Sequence, residues 1–138
     1  MAKLEVLGIE YYQVQADEDL KIEEEMMDLK VYQIPNLHSK WLRYLYNEAM
    51  FLTKIEKELL ELFRKKFYFY MNDFSYTVEK KHVEWHIESD DQYSKDLYKV
   101  NKQKHKVKFL EQMVRKINGL SFDIKNMVEW RKFMSGVV

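Results

Sequence analysis

Three glycines and one proline in 138 residues constrain this chain more than any other feature. Sandwiches, barrels and loop-rich folds reverse direction every few residues and need Gly, Pro, Asn or Asp at those reversals. A chain with so few breakers is predicted to be mainly α, built from long helices. Its 33% charged and 46% hydrophobic residues suit helices with one buried face and one exposed, ion-paired face. The length fits a single domain, 1–138. No cysteine is present, so disulfide and thiolate chemistry are excluded. No apolar run approaches the roughly 20 residues of a membrane span, and Met1-Ala2-Lys3-Leu4-Glu5 lacks the pattern of a signal peptide. A soluble protein of an intracellular compartment, with no membrane partner, is expected.

The helices divide as follows. Residues 1–37 form an acidic N-terminal segment. After Pro35, with Asn36 or Ser39 as N-cap, a first long helix is predicted over 38–71. Leu45, Ala49, Leu52, Leu59, Phe63, Phe67 and Tyr70 recur at spacings that place them on one stripe facing a partner helix. A second helix is predicted over 78–118, ending at Gly119. Its apolar residues, Val83, Ile87, Tyr93, Leu97, Val100, Val107, Leu110, Val114 and Ile117, keep near-heptad spacing, so the two helices can pair as a long antiparallel hairpin. Asp90 and Gln103 interrupt that seam. Ser121 can cap a last helix over 121–135, with Asp123 in its first turn, Arg131 and Lys132 in its last, and Gly136 as terminator.

The zero net charge hides a segregation. Counting Lys and Arg against Asp and Glu, residues 1–37 carry −6, 38–71 carry +3, 72–98 carry −4 and 99–138 carry +7. A local field of this kind can steer and hold a polyanion despite the neutral total. The acidic and basic segments can equally neutralise each other within the fold.

Arg64-Lys65-Lys66-Phe67-Tyr68-Phe69-Tyr70 joins three cations to four aromatics. Successive helical side chains are about 100° apart, so four aromatics in a row cannot share one core. Phe67 and Tyr70 fit the buried stripe, which turns Tyr68 and Phe69 toward a subunit contact, solvent or a ligand. Cations beside exposed rings suit single-stranded nucleic acid: the cations hold phosphates and the rings stack on unpaired bases. Lys57, Arg64, Lys65, Lys66 and Tyr68 are the candidates on the first helix. On the second, Lys95, Lys99, Lys102 and Lys106 line one edge of the stripe and Lys104, Lys108 and Arg115 the other. Lys99, Lys102 and Lys106 are the candidates there.

His82, His86 and Asp90 lie at i, i+4 and i+8, a possible metal face, but zinc sites usually draw ligands from several segments. No metal and no cofactor is predicted. Gly8, Gly119 and Gly136 form no phosphate loop, and no nucleophile–base–acid arrangement is recognisable, so an enzyme is not expected. The last helix carries apolar residues on two faces: Ile124, Met127 and Val128 on one, Phe122, Trp130 and Phe133 on the other. It needs two partners, its own chain and, most simply, a neighbouring subunit; packing of both faces within one monomer is the alternative.

Ile34-Pro35-Asn36-Leu37-His38-Ser39-Lys40-Trp41-Leu42 and Phe122-Asp123-Ile124-Lys125-Asn126-Met127-Val128-Glu129-Trp130-Arg131-Lys132-Phe133-Met134-Ser135-Gly136 resemble the UvsY family of recombination mediators from T-even-like phages and cyanophages. The likeness runs from about Asp19 to Gly136. It implies a helical homo-oligomer, a ring or open barrel of six to seven subunits assembled through the C-terminal helix. The resemblance further implies binding to single-stranded DNA, action on DNA coated by the phage single-strand-binding protein, and help in loading a RecA-like recombinase of UvsX type, in the cytoplasm of the host cell. The family's motif of apolar, basic, any, basic, apolar is matched by Phe63-Arg64-Lys65-Lys66-Phe67, so Arg64 and Lys66 inherit the DNA-binding role by position. Aromatics stand where the family prefers Leu, and Lys65 is an extra cation. Two other classes remain open on the residues themselves. One is a helical adaptor binding only proteins, which would not retain oligonucleotide at low salt. The other is a metal-dependent enzyme using His82, His86 and Asp90, which would carry bound metal.

Overall fold

The structure, a computed structural model, describes residues 7–136. The first six residues of the acidic N-terminal segment lie outside the described residues. The chain is mainly α, with no strand among the described residues: α1 (Ile9–Asp19), α2 (Met27–Tyr68), α3 (Val83–Glu88) and α4 (Asp91–Met134). Short 3-10 turns precede α2 (Glu24–Met26) and α3 (Lys80–His82), and a π-helical turn, Phe69–Asp73, follows α2.

Three boundaries differ from the sequence reading. First, α2 begins at Met27, well before residue 38, and carries Pro35 in its interior. Proline removes one i→i−4 hydrogen bond, a cost of about 3 kcal/mol in an isolated helix. The helix continues because it is anchored on both sides of the proline: Lys30 is buried, donating its ammonium to the Asp19 carbonyl, while Ile34, Leu37 and Trp41 pack into an apolar core. Second, the predicted helix over 78–118 is broken at Ser89 and Asp90. Asp90 caps a new helix by accepting the Tyr93 N–H at 3.1 Å. Third, α4 runs without a stop through Gly119 and Ser121, so no separate helix over 121–135 exists. Buried Leu110, Met113, Ile117, Leu120 and Ile124 form a stripe at helical spacing on both sides of Gly119. Burying that stripe outweighs the roughly 1 kcal/mol that one mid-helix glycine costs. Gly136 does terminate α4, with φ of +74°.

The packed residues gather in two compact units, one of residues up to Asn47 with those from Lys108 on, the other Glu48–Val107. The first unit has an apolar core of Tyr12, Ala16, Trp41, Leu110, Met113, Ile117 and Leu120. Asp19, at the end of α1, accepts hydrogen bonds from Lys40 Nζ (2.8 Å) and the Trp41 indole N–H (3.0 Å), tying α1 to α2.

The second unit has a smaller core, Tyr70, Val83 and Ile87, with Phe63, Phe67, Phe74, Val78 and Tyr93 packed around it. Within this unit Glu48 meets Gln103, Phe63 meets Tyr93 and Lys66 meets Asp90. Position rises along α2 as it falls along α4, so these two helix portions run antiparallel. The expected stripe is half-buried from Ala49 to Phe67 and buried at Tyr70. The π turn disposes of the aromatic run: Tyr70 is buried, whereas Tyr68 and Phe69 stay exposed.

Candidate nucleic-acid interface

All eight candidate strand-binding residues fall in the second unit. On the outward face of α2, Lys57, Arg64 and Tyr68 lie seven and then four residues apart, with Lys65 beside them, and all four are exposed. Tyr68 is 63% exposed, so its ring is available for stacking. Glu61 shares this face and offsets part of its charge. On α4, Lys99 and Lys102 are exposed. Lys99 also borders a shallow groove of about 260 Å³ with Lys54, Phe51, Ile55, Leu59 and Val100. Glu58 and Asp96 line the same groove, which is therefore mixed in charge.

Two of the eight are held inside. Lys66 stands two residues after Arg64, about 200° around the helix, and so cannot share its face. Its ammonium sits 3.1 Å from Asp90 Oδ2, with side chains 21% and 11% exposed respectively. Lys106 is more enclosed, 3.6 Å from Glu48 Oε2, with side chains 8% and 3% exposed. That carboxylate also accepts Gln103 Nε2 at 2.6 Å, and Gln103 reaches the Glu48 carbonyl at 2.9 Å. The polar interruption at Gln103 in an otherwise apolar seam is thus the centre of a satisfied buried network. The other interruption, Asp90, collects Lys66, the Tyr70 hydroxyl (2.9 Å) and the Tyr93 N–H (3.1 Å).

Burial alone would push the Asp90 carboxyl up. The hydrogen bonds from Tyr93, Tyr70 and Lys66, together with the Lys66 charge, instead hold it below the ordinary Asp range. The Tyr70 hydroxyl is pushed up, first by burial and then by its hydrogen bond to Asp90 and the charge there. Each partner therefore holds the form that the bond requires, a phenol donating to a carboxylate.

The histidines are occupied as rings: His82 stacks on Trp85 at 4.8 Å and His86 on Tyr70 at 5.4 Å. Asp90 turns to Tyr70 and Lys66, so the i, i+4, i+8 set is not assembled as one face. Sequence reading missed Lys54 and the exposed rings of Tyr76, Trp85 and Tyr98. Tyr98 was signalled by its place between Lys95 and Lys99, and Tyr76 and Trp85 by Lys80 and Lys81, each four residues away.

The six candidate assembly residues all lie near the end of α4, in the first unit. Ile124 is buried in its own chain and Val128 half-buried. Phe122, Trp130 and Phe133 remain 64%, 63% and 74% exposed, with the Trp130 and Phe133 rings stacked at 5.7 Å. Met127 and Trp130 also border a groove of about 470 Å³ with Ile22, Glu24, Asn126 and Arg131. Arg131 Nε lies 3.0 Å from Glu24 across it. Exposed stacked aromatics on a helix end are the kind of apolar surface that a protein partner covers.

The sequence profile of the family described as "Recombination, repair and ssDNA binding protein UvsY" matches residues 15–137. Two crystal structures of the bacteriophage T4 recombination mediator protein UvsY share the fold. One has a TM-score of 0.82 at 16% identity, covering 93% of this chain and 99% of that one. The other has a TM-score of 0.82 at 18% identity, covering 94% and 98%. No curated protein matches the chain.

Proposed function

Because the chain belongs to the UvsY family of recombination, repair and single-stranded-DNA-binding proteins, we propose that it is a recombination mediator that helps load a RecA-like recombinase of UvsX type onto DNA coated by the phage single-strand-binding protein. The observation that carries this reading is the outward face at the end of α2, where exposed Arg64 and Lys65 adjoin the exposed rings of Tyr68 and Phe69. Cations at this position hold phosphates and release counterions, while the rings accept any base by stacking, so binding is strong at low salt and indifferent to sequence. Lys57, Lys99 and Lys102 extend the charged surface.

The reading includes assembly. Phe122, Trp130 and Phe133, with Met127 and Val128, pack against a second copy, and Ile124 seats the helix in its own chain. A ring or open barrel of six to seven subunits presents several basic faces to one strand, and avidity follows from linkage without any new contact. Such an assembly can hold a strand in a shape that suits the recombinase filament better than the coating protein. The protein has no catalysis of its own in this reading, and it works in the cytoplasm of the infected host.

Fluorescence-anisotropy titrations of labelled oligothymidylate across a salt series test the strand face. Arg64→Ala with Lys65→Ala should weaken binding and lower the salt slope by about 0.7 for each phosphate that is no longer neutralised. A double variant that binds like the parent at every salt would remove the face from the reading. The mediator step is tested separately: the lag in recombinase ATPase on coated DNA should shorten with the parent and not with the double variant. A parent that binds DNA yet leaves the lag unchanged would reduce the protein to a bystander strand binder, and one that retains no oligonucleotide at low salt would be a protein-only adaptor.

A further inference from the structure

Three donors converge on Asp90, but only one of them needs its charge. The Tyr93 N–H, at 3.1 Å from Oδ1, asks for a capping oxygen, which asparagine or serine supplies as well as aspartate. The Tyr70 hydroxyl, at 2.9 Å from Oδ2, also asks for an acceptor. Lys66, at 3.1 Å from the same oxygen, is the partner bound by charge. It is also the third basic residue of the Phe63-Arg64-Lys65-Lys66-Phe67 run, next in sequence to the exposed cation Lys65 and two residues after exposed Arg64.

We propose that Asp90 is an internal stand-in for a phosphate: it holds Lys66 in the free chain and competes with the strand for it, setting the affinity for DNA without touching DNA. This rests on the single-strand-binding reading above and says how that site is tuned.

The two internal pairs of this unit show why one can exchange and the other cannot. Lys106 and Glu48 are 8% and 3% exposed, and Gln103 closes the carboxylate from a further side. Separating them leaves two charges in a dry place, which is costly. Lys66 keeps 21% of its side chain in contact with solvent, so its ammonium has a wet route out on a long, flexible stem. When Lys66 leaves, Asp90 retains its bonds from Tyr70 and Tyr93, so α4 stays capped and the turn after α2 stays pinned. Asp91 adds a second negative charge beside Asp90, and no cation other than Lys66 is within ion-pair distance of Asp90 among the described residues. A partly exposed pair holds an equilibrium by only a few-fold, small enough for a multivalent polyanion to displace. Each subunit that passes Lys66 from Asp90 to a phosphate carries that few-fold penalty, so Asp90 keeps the grip on the strand moderate, as suits a protein whose strand must pass to another.

The test uses the full chain and labelled oligothymidylate at one fixed, moderate salt concentration. D90N retains a capping oxygen for Tyr93 and puts an amide N–H where the Tyr70 hydroxyl oxygen can accept it, while removing the charge. It should tighten binding about fivefold. K66Q should weaken binding, and D90N placed in the K66Q background should bind no tighter than K66Q alone. Circular dichroism accompanies each variant, and D90S, which keeps a hydroxyl cap, replaces D90N if helix content falls. A D90N protein that binds as the parent does, or more weakly, overturns the competition while leaving the strand reading standing. So does a gain that persists without Lys66. Failure of both parent and D90N to hold oligothymidylate at low salt overturns the strand reading, and the competition with it.

Discussion

The two compact units use the same two long helices to opposite ends. The first buries Trp41, Leu110, Met113, Ile117 and Leu120 together with Tyr12 of α1, and its closed interior is almost wholly apolar. The second clusters Tyr70, Val83 and Ile87, buries Val100 and Val107 besides, and relies on polar junctions at Glu48–Gln103–Lys106 and Lys66–Asp90–Tyr70. Their surfaces invert this order. The apolar unit exposes stacked aromatics at its helix end, whereas the polar unit exposes cations beside the rings of Tyr68 and Phe69. A unit with a deep apolar core can present greasy surface for assembly without losing its shape. One held by ion pairs is stable to the degree that its charges stay matched, which leaves it responsive to salt, pH and a bound polyanion.

This contrast can be broken first at the centre of the apolar unit. Trp41→Ala should cost about 3–5 kcal/mol, because a fully buried indole is lost and Asp19 loses a donor. Thermal unfolding would show it as a large fall in Tm; a fall of only a degree or two would mean that the first unit is not held by this core. In the polar unit the matching change is Glu48→Ala. It strands Lys106 in a dry site and should cost about 3 kcal/mol, whereas Glu48→Gln should cost less by keeping the bond to Gln103.

Acid should separate the units next. The Asp90 pKa is depressed in the folded chain, so its contribution to stability is complete above the unfolded value of about 4 and is lost as pH falls through the lower folded value. Hydrogen exchange below pH 4 should open the turn around Tyr70 and Asp90 before the Trp41 core. Asp90→Asn should flatten that acid limb. At the other extreme, the raised Tyr70 pKa gives a contribution that is present below about pH 10 and lost above it. Equal opening of both regions in acid would show that the junction is not what holds the second unit.

The smallest effect lies at Gly119. A methyl group there meets nothing within 4 Å, so Gly119→Ala should stabilise α4 by about 0.5–1 kcal/mol. Destabilisation would mean that the helix is locally distorted at that point.

Gly119 also marks the limit of what the sequence discloses. Helix content, the inward stripe from Ala49 to Tyr70, the exposure of Tyr68 and the terminator at Gly136 were all readable from spacing and residue type. The helix boundaries were not, because Pro35 and Gly119 are local signals overruled by packing on either side of them, at Ile34 and Leu37 and at Ile117 and Leu120. Asp90 looked like a flaw in a heptad seam; it caps α4 at Tyr93, and its other partners, Tyr70 and Lys66, are far from it in sequence. For the candidate site, Arg64, Lys65, Lys57 and Tyr68 could be placed outward by helical periodicity. The inward turn of Lys66 and Lys106 depended on which acids faced them, and a single helix wheel does not contain that information.

The claim that strand binding belongs to one unit and assembly to the other is tested most directly by sedimentation and oligonucleotide affinity measured on the same two variants. Arg64→Glu with Lys65→Glu should keep the parental mass and lose DNA binding at moderate salt. Trp130→Glu with Phe133→Glu should lose the oligomer, remain helical, and bind a short oligonucleotide with only the weak affinity of one subunit. If the α2 variant dissociates while keeping its grip on the strand, or the α4 variant holds its mass and loses binding, the division is contradicted.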